Sequence, residues 1–173
     1  GMNISLAARN IHKIKAVANE TKAEVFTCDA TESEQVNNLF KNQDSLNRSL
    51  DLVIYNPSAR VYGPINNLDV KKTKKALETT CFGAFLVAQQ ATKRMLEQGH
   101  GCIFFTGASA SVKGFANSSV FAMGKFGLRG LAQSLAGELH PKNIHICHFI
   151  IDGIISKKGT SENFSSDNNK LDP

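Results

Sequence analysis

The sequence predicts an α/β fold built around a doubly wound parallel sheet. Short runs of strand length are apolar on both faces, and they alternate with longer amphipathic segments. This pattern is typical of a parallel sheet that helices cover on both sides. The connections between such strands form right-handed βαβ units. A chain of 173 residues is long enough for one compact domain, so we expect a single domain.

Five apolar runs bounded by polar turns are predicted to be the strands: NISLAA (3–8), AEVFTC (23–28), LDLVIY (50–55), CIFFTG (102–107) and HICHFII (145–151). Four helical segments are predicted between them, at about 10–20, 32–44, 68–98 and 115–139. In the two long ones, apolar residues recur at steps of three and four. From residue 156 the composition becomes polar, and we expect 156–173 to be a C-terminal loop or tail.

Composition excludes several classes of function. The net charge is +5, but the main basic cluster, at 71–75, has no interleaved aromatic residues, so we read it as a solvated helix face and expect no nucleic-acid partner. No apolar run approaches the roughly 20 residues of a membrane span, and the N-terminus lacks the features of a signal peptide. We therefore expect a cytoplasmic protein without membrane contact. The spacing of cysteines and histidines predicts no metal site.

Glycines are absent where a dinucleotide-binding sheet usually needs them. Such sheets carry a glycine-rich turn between a strand and a helix, where backbone amides approach the pyrophosphate. Here no glycine occurs between Met2 and Tyr62. Gly124, Gly127 and Gly130 fall inside a predicted helix, where we expect them to permit close packing.

Seven segments in register resemble the short-chain dehydrogenase/reductase family: LAARN, CDAT, YNPSA, CFGAFLVAQQA, FFTGASAS, FAMGKFGLRGLAQSLAGEL and IIDG. They extend from residue 3 to about residue 155. The resemblance implies a Rossmann-like fold that lacks the usual first βα unit and the last strand, so that 1–173 forms a single partial Rossmann-like domain. It also implies that the missing first strand belongs at the centre of the sheet. We expect either that run 3–8 pairs directly with run 50–55, or that a second copy supplies surface there.

The resemblance implies NADP as the cofactor. Arg9 stands where the family selects between NAD and NADP, and a guanidinium suits the extra phosphate; the alternative is that Arg9 is a solvated charge at a strand end. Asp29 matches the aspartate beside the adenine, and Gly153 lies in the matching IIDG segment. Asn56 lies where the family usually has Asn-Asn-Ala-Gly, although YNPS departs from that pattern and a simple turn is an equal reading. Lys125 would hold the nicotinamide ribose.

The family's catalytic residues are an asparagine, a serine, a tyrosine and a lysine. Register puts Thr80 at the asparagine, Phe121 at the tyrosine and Lys125 at the lysine. The serine position falls on Ala108. Ser109, one residue away, is the candidate to serve there, although a hydroxyl that satisfies the backbone at a strand end is the plainer reading.

Phenylalanine has no ionisable proton, and both tyrosines are remote in sequence from the helix that carries Lys125. Two functions therefore stay open. The first is an oxidoreductase of impaired activity that uses NADP and a small-molecule carbonyl or alcohol substrate. The second is a non-catalytic pseudoenzyme or interaction module. By resemblance we expect a homo-oligomer through helices 68–98 and 115–139.

Overall fold

The computed structural model describes residues 1–155 and 170–171. Its strands are β1 (Ser5–Ala8), β2 (Glu24–Thr27), β3 (Leu52–Tyr55), β4 (Gly101–Ala108), β5 (Ile144–Ile151), β6 (Ile154–Ile155) and β7 (Lys170–Leu171). Its α-helices are α1 (Lys15–Thr21), α2 (Ser33–Asp44), α3 (Val70–Leu77), α4 (Gly83–Gln98) and α5 (Ser119–Leu139). All five predicted strands form, and all strand pairs are parallel, which confirms the α/β prediction.

The predicted helices differ from the observed ones at their ends. The first begins with a 3-10 turn, Ile11–Ile14, before α1. The segment predicted at 68–98 is interrupted by a π-helical turn, Glu78–Phe82, which joins α3 to α4. The last begins four residues later than predicted, after Asn117 with its positive φ of 58°. Of the predicted tail at 156–173, Lys170 and Leu171 pair with β6, and the rest lies outside the described residues.

The strands form separate sheets. Within residues 1–155, β1 pairs with β2, while β3, β4 and β5 form a second sheet in that order. Direct pairing of run 3–8 with run 50–55 is therefore wrong. The sheets are joined through side chains and helices instead: α2 packs against α4, and Gly83 of α4 lies so close to Ala30, after β2, that an added Cβ would stand 2.8 Å from its carbonyl oxygen.

Burial of the strands is less complete than the sequence predicts. In β4 every second residue is fully buried, but β1 and β2 alternate between exposed and half-buried positions, and Ile54 of β3 is 61% exposed. In addition, β1, β2, β3 and β5 each have one strand neighbour among the described residues, so each leaves one edge open.

One apolar cluster nevertheless connects α2, α4, α5 and the three-stranded sheet. Its largest fully buried members are Phe105, Met95, Ile103, Leu128, Leu139 and Ile144. This core holds α5 against β4 and β5, and so fixes the residues that follow those strands. Within the described residues, no helix is long and apolar enough to cross a membrane.

Candidate active site

The predicted site residues lie where parallel strands end. Arg9 follows β1, Asp29 comes two residues after β2, Asn56 follows β3, Ser109 follows β4, and Gly153 comes two residues after β5. Carboxyl ends of parallel strands share one edge of a sheet, which is where doubly wound folds place their ligands. The fold thus directs the predicted cofactor residues to one edge within each sheet.

Asp29 and Arg9 lie beside each other at the end of the two-stranded sheet. The Asp29 carboxylate accepts hydrogen bonds from the Thr31 N–H and hydroxyl, at 3.0 and 2.8 Å, and lies 3.7 Å from the Lys75 Nζ. Desolvation by burial opposes ionisation, but these hydrogen bonds and the charges of Lys75 and Arg9 outweigh it and lower the pKa of Asp29. Arg9 is exposed, so its guanidinium is open to a further anion.

The π-helical turn between α3 and α4 places Thr80 inside the molecule. Its hydroxyl oxygen is 3.0 Å from the Ala59 backbone nitrogen and accepts a hydrogen bond from that N–H. Gly124 of α5 packs directly on this side chain, because an added Cβ there would stand 3.0 Å from two Thr80 carbons. A π-helical turn adds a residue to the helix and often marks a functional site. Thr80 therefore connects the loop after β3 with the two long helices, α4 and α5.

Phe121 and Lys125 lie on the same face of α5, one turn apart. Lys125 is 3% exposed, and its Nζ donates a hydrogen bond of 2.6 Å to the Thr106 carbonyl of β4. Its Nζ also lies 5.8 Å from the centroid of the buried Phe121 ring. Burial, and secondly the charge of Arg60, lower the pKa of Lys125 to about 8. Lys125 thus points into the molecule, towards the end of β4.

Arg60, which the sequence analysis left outside the site, contacts Phe121 in the structure and links Tyr62 to it. The Arg60 guanidinium carbon lies 4.1 Å from the Phe121 ring centroid, a cation–π arrangement. The Arg60 Nη1 donates a hydrogen bond of 3.0 Å to the Tyr62 hydroxyl. Tyr62 is therefore closer to the Lys125 helix than its sequence position suggested. The only sequence signal was that Arg60 directly follows the YNPSA segment.

Tyr55 lies elsewhere and has a different role. Its side chain is buried in the core, and its hydroxyl donates a hydrogen bond of 2.6 Å to the Thr79 carbonyl. Desolvation, followed by nearby acidic groups, raises its pKa. A phenol whose proton is held in this way is a structural tie between β3 and the π-helical turn rather than a proton donor for the site.

The serine-rich turn after β4 uses its hydroxyls unequally. Ser111 is fully buried, and its Oγ accepts a hydrogen bond of 3.1 Å from the Ala108 N–H. Ser109 is half-buried, and among the described residues its hydroxyl makes no hydrogen bond. Ser111 thus satisfies the backbone at the strand end, which is the role the sequence reading favoured for Ser109. The Ser109 hydroxyl is left available.

A further basic group lies behind Lys125. The His148 ring of β5 packs on Gly107 of β4, so closely that a Cβ there would clash with it. Its Nε2 is buried without a hydrogen-bond partner among the described residues. Desolvation, and then the charges of Arg129 and Lys125, lower the pKa of His148. The sequence analysis considered the histidines only as metal ligands and so gave His148 no role.

Taken together, the side chains around Phe121 are cationic, and the position that the sequence predicts for the proton donor holds no phenol. Within the part of the chain that the structure describes, no carboxylate lies within 4.0 Å of Arg60 or Lys125. The arrangement can polarise or bind a negatively charged or electron-rich group. Phe121 itself can transfer no proton.

Comparison with known proteins agrees with this fold. A family model described as short chain dehydrogenase matches residues 1–167. An uncharacterized oxidoreductase of Staphylococcus aureus strain N315 is 28% identical over all of this chain and 76% of its own length. A 3-oxoacyl-acyl-carrier-protein reductase of Mycobacterium tuberculosis strain H37Rv is 27% identical over 68% of this chain and 47% of its own.

Solved structures are similar as well. The crystal structure of a short-chain dehydrogenase from Rhodopseudomonas palustris is 34% identical, with a TM-score of 0.80, over 91% of this chain and 74% of that one. A metagenomic short-chain oxidoreductase in complex with NADP has a TM-score of 0.82 over 88% of this chain and 71% of that one. At 20% identity, the latter shows likeness of fold alone.

Proposed function

The chain belongs to the short-chain dehydrogenase family, and we propose that it is an oxidoreductase of impaired catalytic power that binds NADP and a small carbonyl or alcohol. One observation carries the proposal. The position of the family's proton donor holds Phe121, whose ring lies 4.1 Å from the Arg60 guanidinium carbon and 5.8 Å from the Lys125 Nζ. This position therefore holds a phenyl ring beside two cations and offers no acid.

The residues present suit two parts of NADP: its extra phosphate and the ribose of its nicotinamide. Arg9 offers an exposed guanidinium fork, which suits a phosphate through bidentate hydrogen bonds. Lys125 gives one of its three N–H donors to Thr106, and we propose that the other two bind ribose hydroxyls. Asn56, Gly153 and Asp29 would line the cofactor between these two parts. When bound, the nicotinamide supplies or accepts the hydride.

The remaining groups set the expected rate. Ser109 has an available hydroxyl that can donate to a substrate oxygen, while water must deliver the proton that a phenol would otherwise supply. Loss of a positioned general acid typically costs about 10² to 10⁴ in rate. We therefore propose slow turnover with Lys125 and Ser109 as the active groups, and with Thr80 holding the adjoining loop through Ala59.

A non-catalytic role is the second candidate, and a different observation favours it. An apolar groove runs between α3, α4 and α5, lined among others by Val70, Leu77, Phe82, Phe85, Met123 and Leu131. Several of these large side chains are exposed. An exposed apolar surface of this kind suits association with a second copy of the chain, and we propose that helices 68–98 and 115–139 form that interface.

Two measurements separate these functions. Titration of the purified chain with NADPH, followed by cofactor fluorescence, should give saturable binding that is weaker in Arg9→Ala than in the control Lys13→Ala. Absence of saturable binding would reject the oxidoreductase. Phe121→Tyr should then raise NADPH oxidation with a carbonyl panel by about 10² or more. Binding of NADPH without any such gain would support the non-catalytic reading.

A further inference from the structure

Arg60 is a charged group at the site that its surroundings do not neutralise. Its ring contact with Phe121 is a cation–π interaction, and its one hydrogen bond among the described residues goes to the Tyr62 hydroxyl. A guanidinium carries five N–H donors, so most of them are unused. No carboxylate within residues 1–155 lies within 4.0 Å of it.

The surroundings also orient this guanidinium. Stacking on the buried Phe121 ring fixes the plane of the group, and the Tyr62 hydroxyl fixes one of its edges. The residue is exposed, so the remaining donors face the open side of the site. Lys125 adds positive charge from beneath, close enough for Arg60 to lower its pKa. An oriented donor fork in a positive field is the usual arrangement for binding an oxyanion.

We infer that Arg60 determines specificity at this site by binding the anionic group, a carboxylate or a phosphate, of a small carbonyl or alcohol ligand. The identity of that ligand as a substrate rests on the proposed function, but anion binding itself does not require the cofactor. A neutral ligand would leave the positive charges of Arg60 and Lys125 without a negative partner. A carboxylate or phosphate accepts two parallel N–H bonds from the fork, and its negative charge reduces the repulsion between Arg60 and Lys125.

The chain offers a built-in reporter. It has two tyrosines and no tryptophan, so a ¹³C-tyrosine sample gives ring signals from Tyr55 and Tyr62 alone. Tyr62 accepts the hydrogen bond from Arg60, whereas Tyr55 is buried and bonded to Thr79. Oxamate and oxamide are a matched probe pair, since they are nearly isosteric and only oxamate is charged. Oxamate should shift the Tyr62 signals saturably and leave the Tyr55 signals in place, and oxamide should shift neither.

Variants test whether Arg60 is responsible. Arg60→Gln should weaken oxamate binding by about tenfold or more, because charge-assisted hydrogen bonds are lost. Arg60→Lys keeps the charge but not the fork, and should bind with intermediate affinity. Arg48→Gln removes an exposed arginine that pairs with Glu24, and it should bind as the unaltered chain does. Equal responses to oxamate and oxamide, or unchanged binding in Arg60→Gln, would overturn the inference.

Further titrations identify the source of the anion. Saturable shifts with inorganic phosphate and none with oxamate would assign the site to phosphate esters. Displacement of oxamate by NADPH, together with equal loss of NADPH affinity in Arg60→Gln, would assign Arg60 to a cofactor phosphate and overturn its role in substrate selection. Oxamate binding without NADPH binding would reject the proposed function alone. NADPH binding without oxamate or phosphate binding would reject the anion site alone.

Discussion

At the scale of single residues, the phenyl ring of Phe121 stabilises the charge of the neighbouring Lys125 less than a phenol would. A phenol can share its proton or its charge with an adjacent ammonium, but the Phe121 ring can only offer its electron-rich face. Lys125 is buried, has no carboxylate within 4.0 Å among the described residues, and lies near Arg60. Its charged form is therefore disfavoured in the folded state.

This environment gives a prediction for stability against pH. The pKa of Lys125 falls to about 8 from an ordinary value of 10.5, so the folded state loses this proton before the unfolded state does. Between these two values the unfolded chain binds more protons, and the contribution of Lys125 to the unfolding free energy rises with pH, by up to about 1.4 kcal/mol per unit. The penalty is fully present below about pH 8.

The measurement compares Lys125→Met with the unaltered chain by urea unfolding at pH values below and above 8. The unaltered chain should gain more stability on raising the pH than Lys125→Met does. Lys113→Met, at an exposed position, is the control and should follow the unaltered chain. Parallel pH profiles for all three would mean that Lys125 keeps its ordinary affinity for the proton.

Sequence reasoning located residues that lie on regular elements. Lys125 and Phe121 could be placed one turn apart because both sit on a regular helix, whose spacing is fixed by its own backbone. Arg60 and Tyr62 could not, since they follow β3 in an irregular segment and reach Phe121 only through the tertiary fold. A contact between a loop and a distant helix leaves no periodic pattern in the chain.

At the scale of elements, the π-helical turn and α5 form one packed unit. Gly124 of α5 meets Thr80, and Gly127 meets Cys81, at distances that an added Cβ would reduce to 3.0 and 2.9 Å. These two glycines confirm the expectation of close helix packing. Gly130 does not, because nothing lies within 4 Å of its added Cβ. Each step of three residues turns the position by about 60° around the helix, so the third glycine lies on an exposed side of α5.

This difference predicts opposite effects of the same substitution on one helix. Gly124→Ala should destabilise the fold by about 1 to 3 kcal/mol, because the new methyl group must push α5 away from the π-helical turn. Gly130→Ala should stabilise it by about 0.5 to 1 kcal/mol, since alanine loses less backbone entropy in a helix and the position is open. Thermal and urea unfolding of the two variants measure both effects. A stabilising Gly124→Ala would show that α5 does not pack closely there.

Sequence patterns predict the elements better than they predict irregularities within them. Strands were placed to within a few residues because apolar runs end at polar turns. The π-helical turn was missed because the apolar period continues through it: one additional residue rotates the face without breaking the amphipathic pattern of 68–98. The site depends on that turn, since it points Thr80 inward.

At the scale of the whole molecule, two sheets share one core without sharing strand hydrogen bonds. β1 and β3 each present an open edge among the described residues, and Ile54 is exposed on β3. The sequence patterns predicted both strands but did not show whether they pair with each other. Helix contacts across Gly83 keep the two sheets together, and these depend on side-chain shape rather than on strand pattern.

The groove between α3, α4 and α5 gives the prediction that belongs to this scale. Met123 lies in the groove and is 51% exposed, so a second copy seated there would bury it. Met123→Glu would place a charge in an apolar interface without a partner, which costs several kcal/mol and should convert an oligomer to a monomer. Val17→Glu is the matched control: Val17 is 50% exposed on α1 and does not line the groove, so the oligomer should persist. Light scattering coupled to size exclusion measures both.

Because the groove and the Arg60 site lie on different surfaces of α5, Met123→Glu should leave oxamate binding intact. Loss of both properties in that variant would indicate that assembly completes the site.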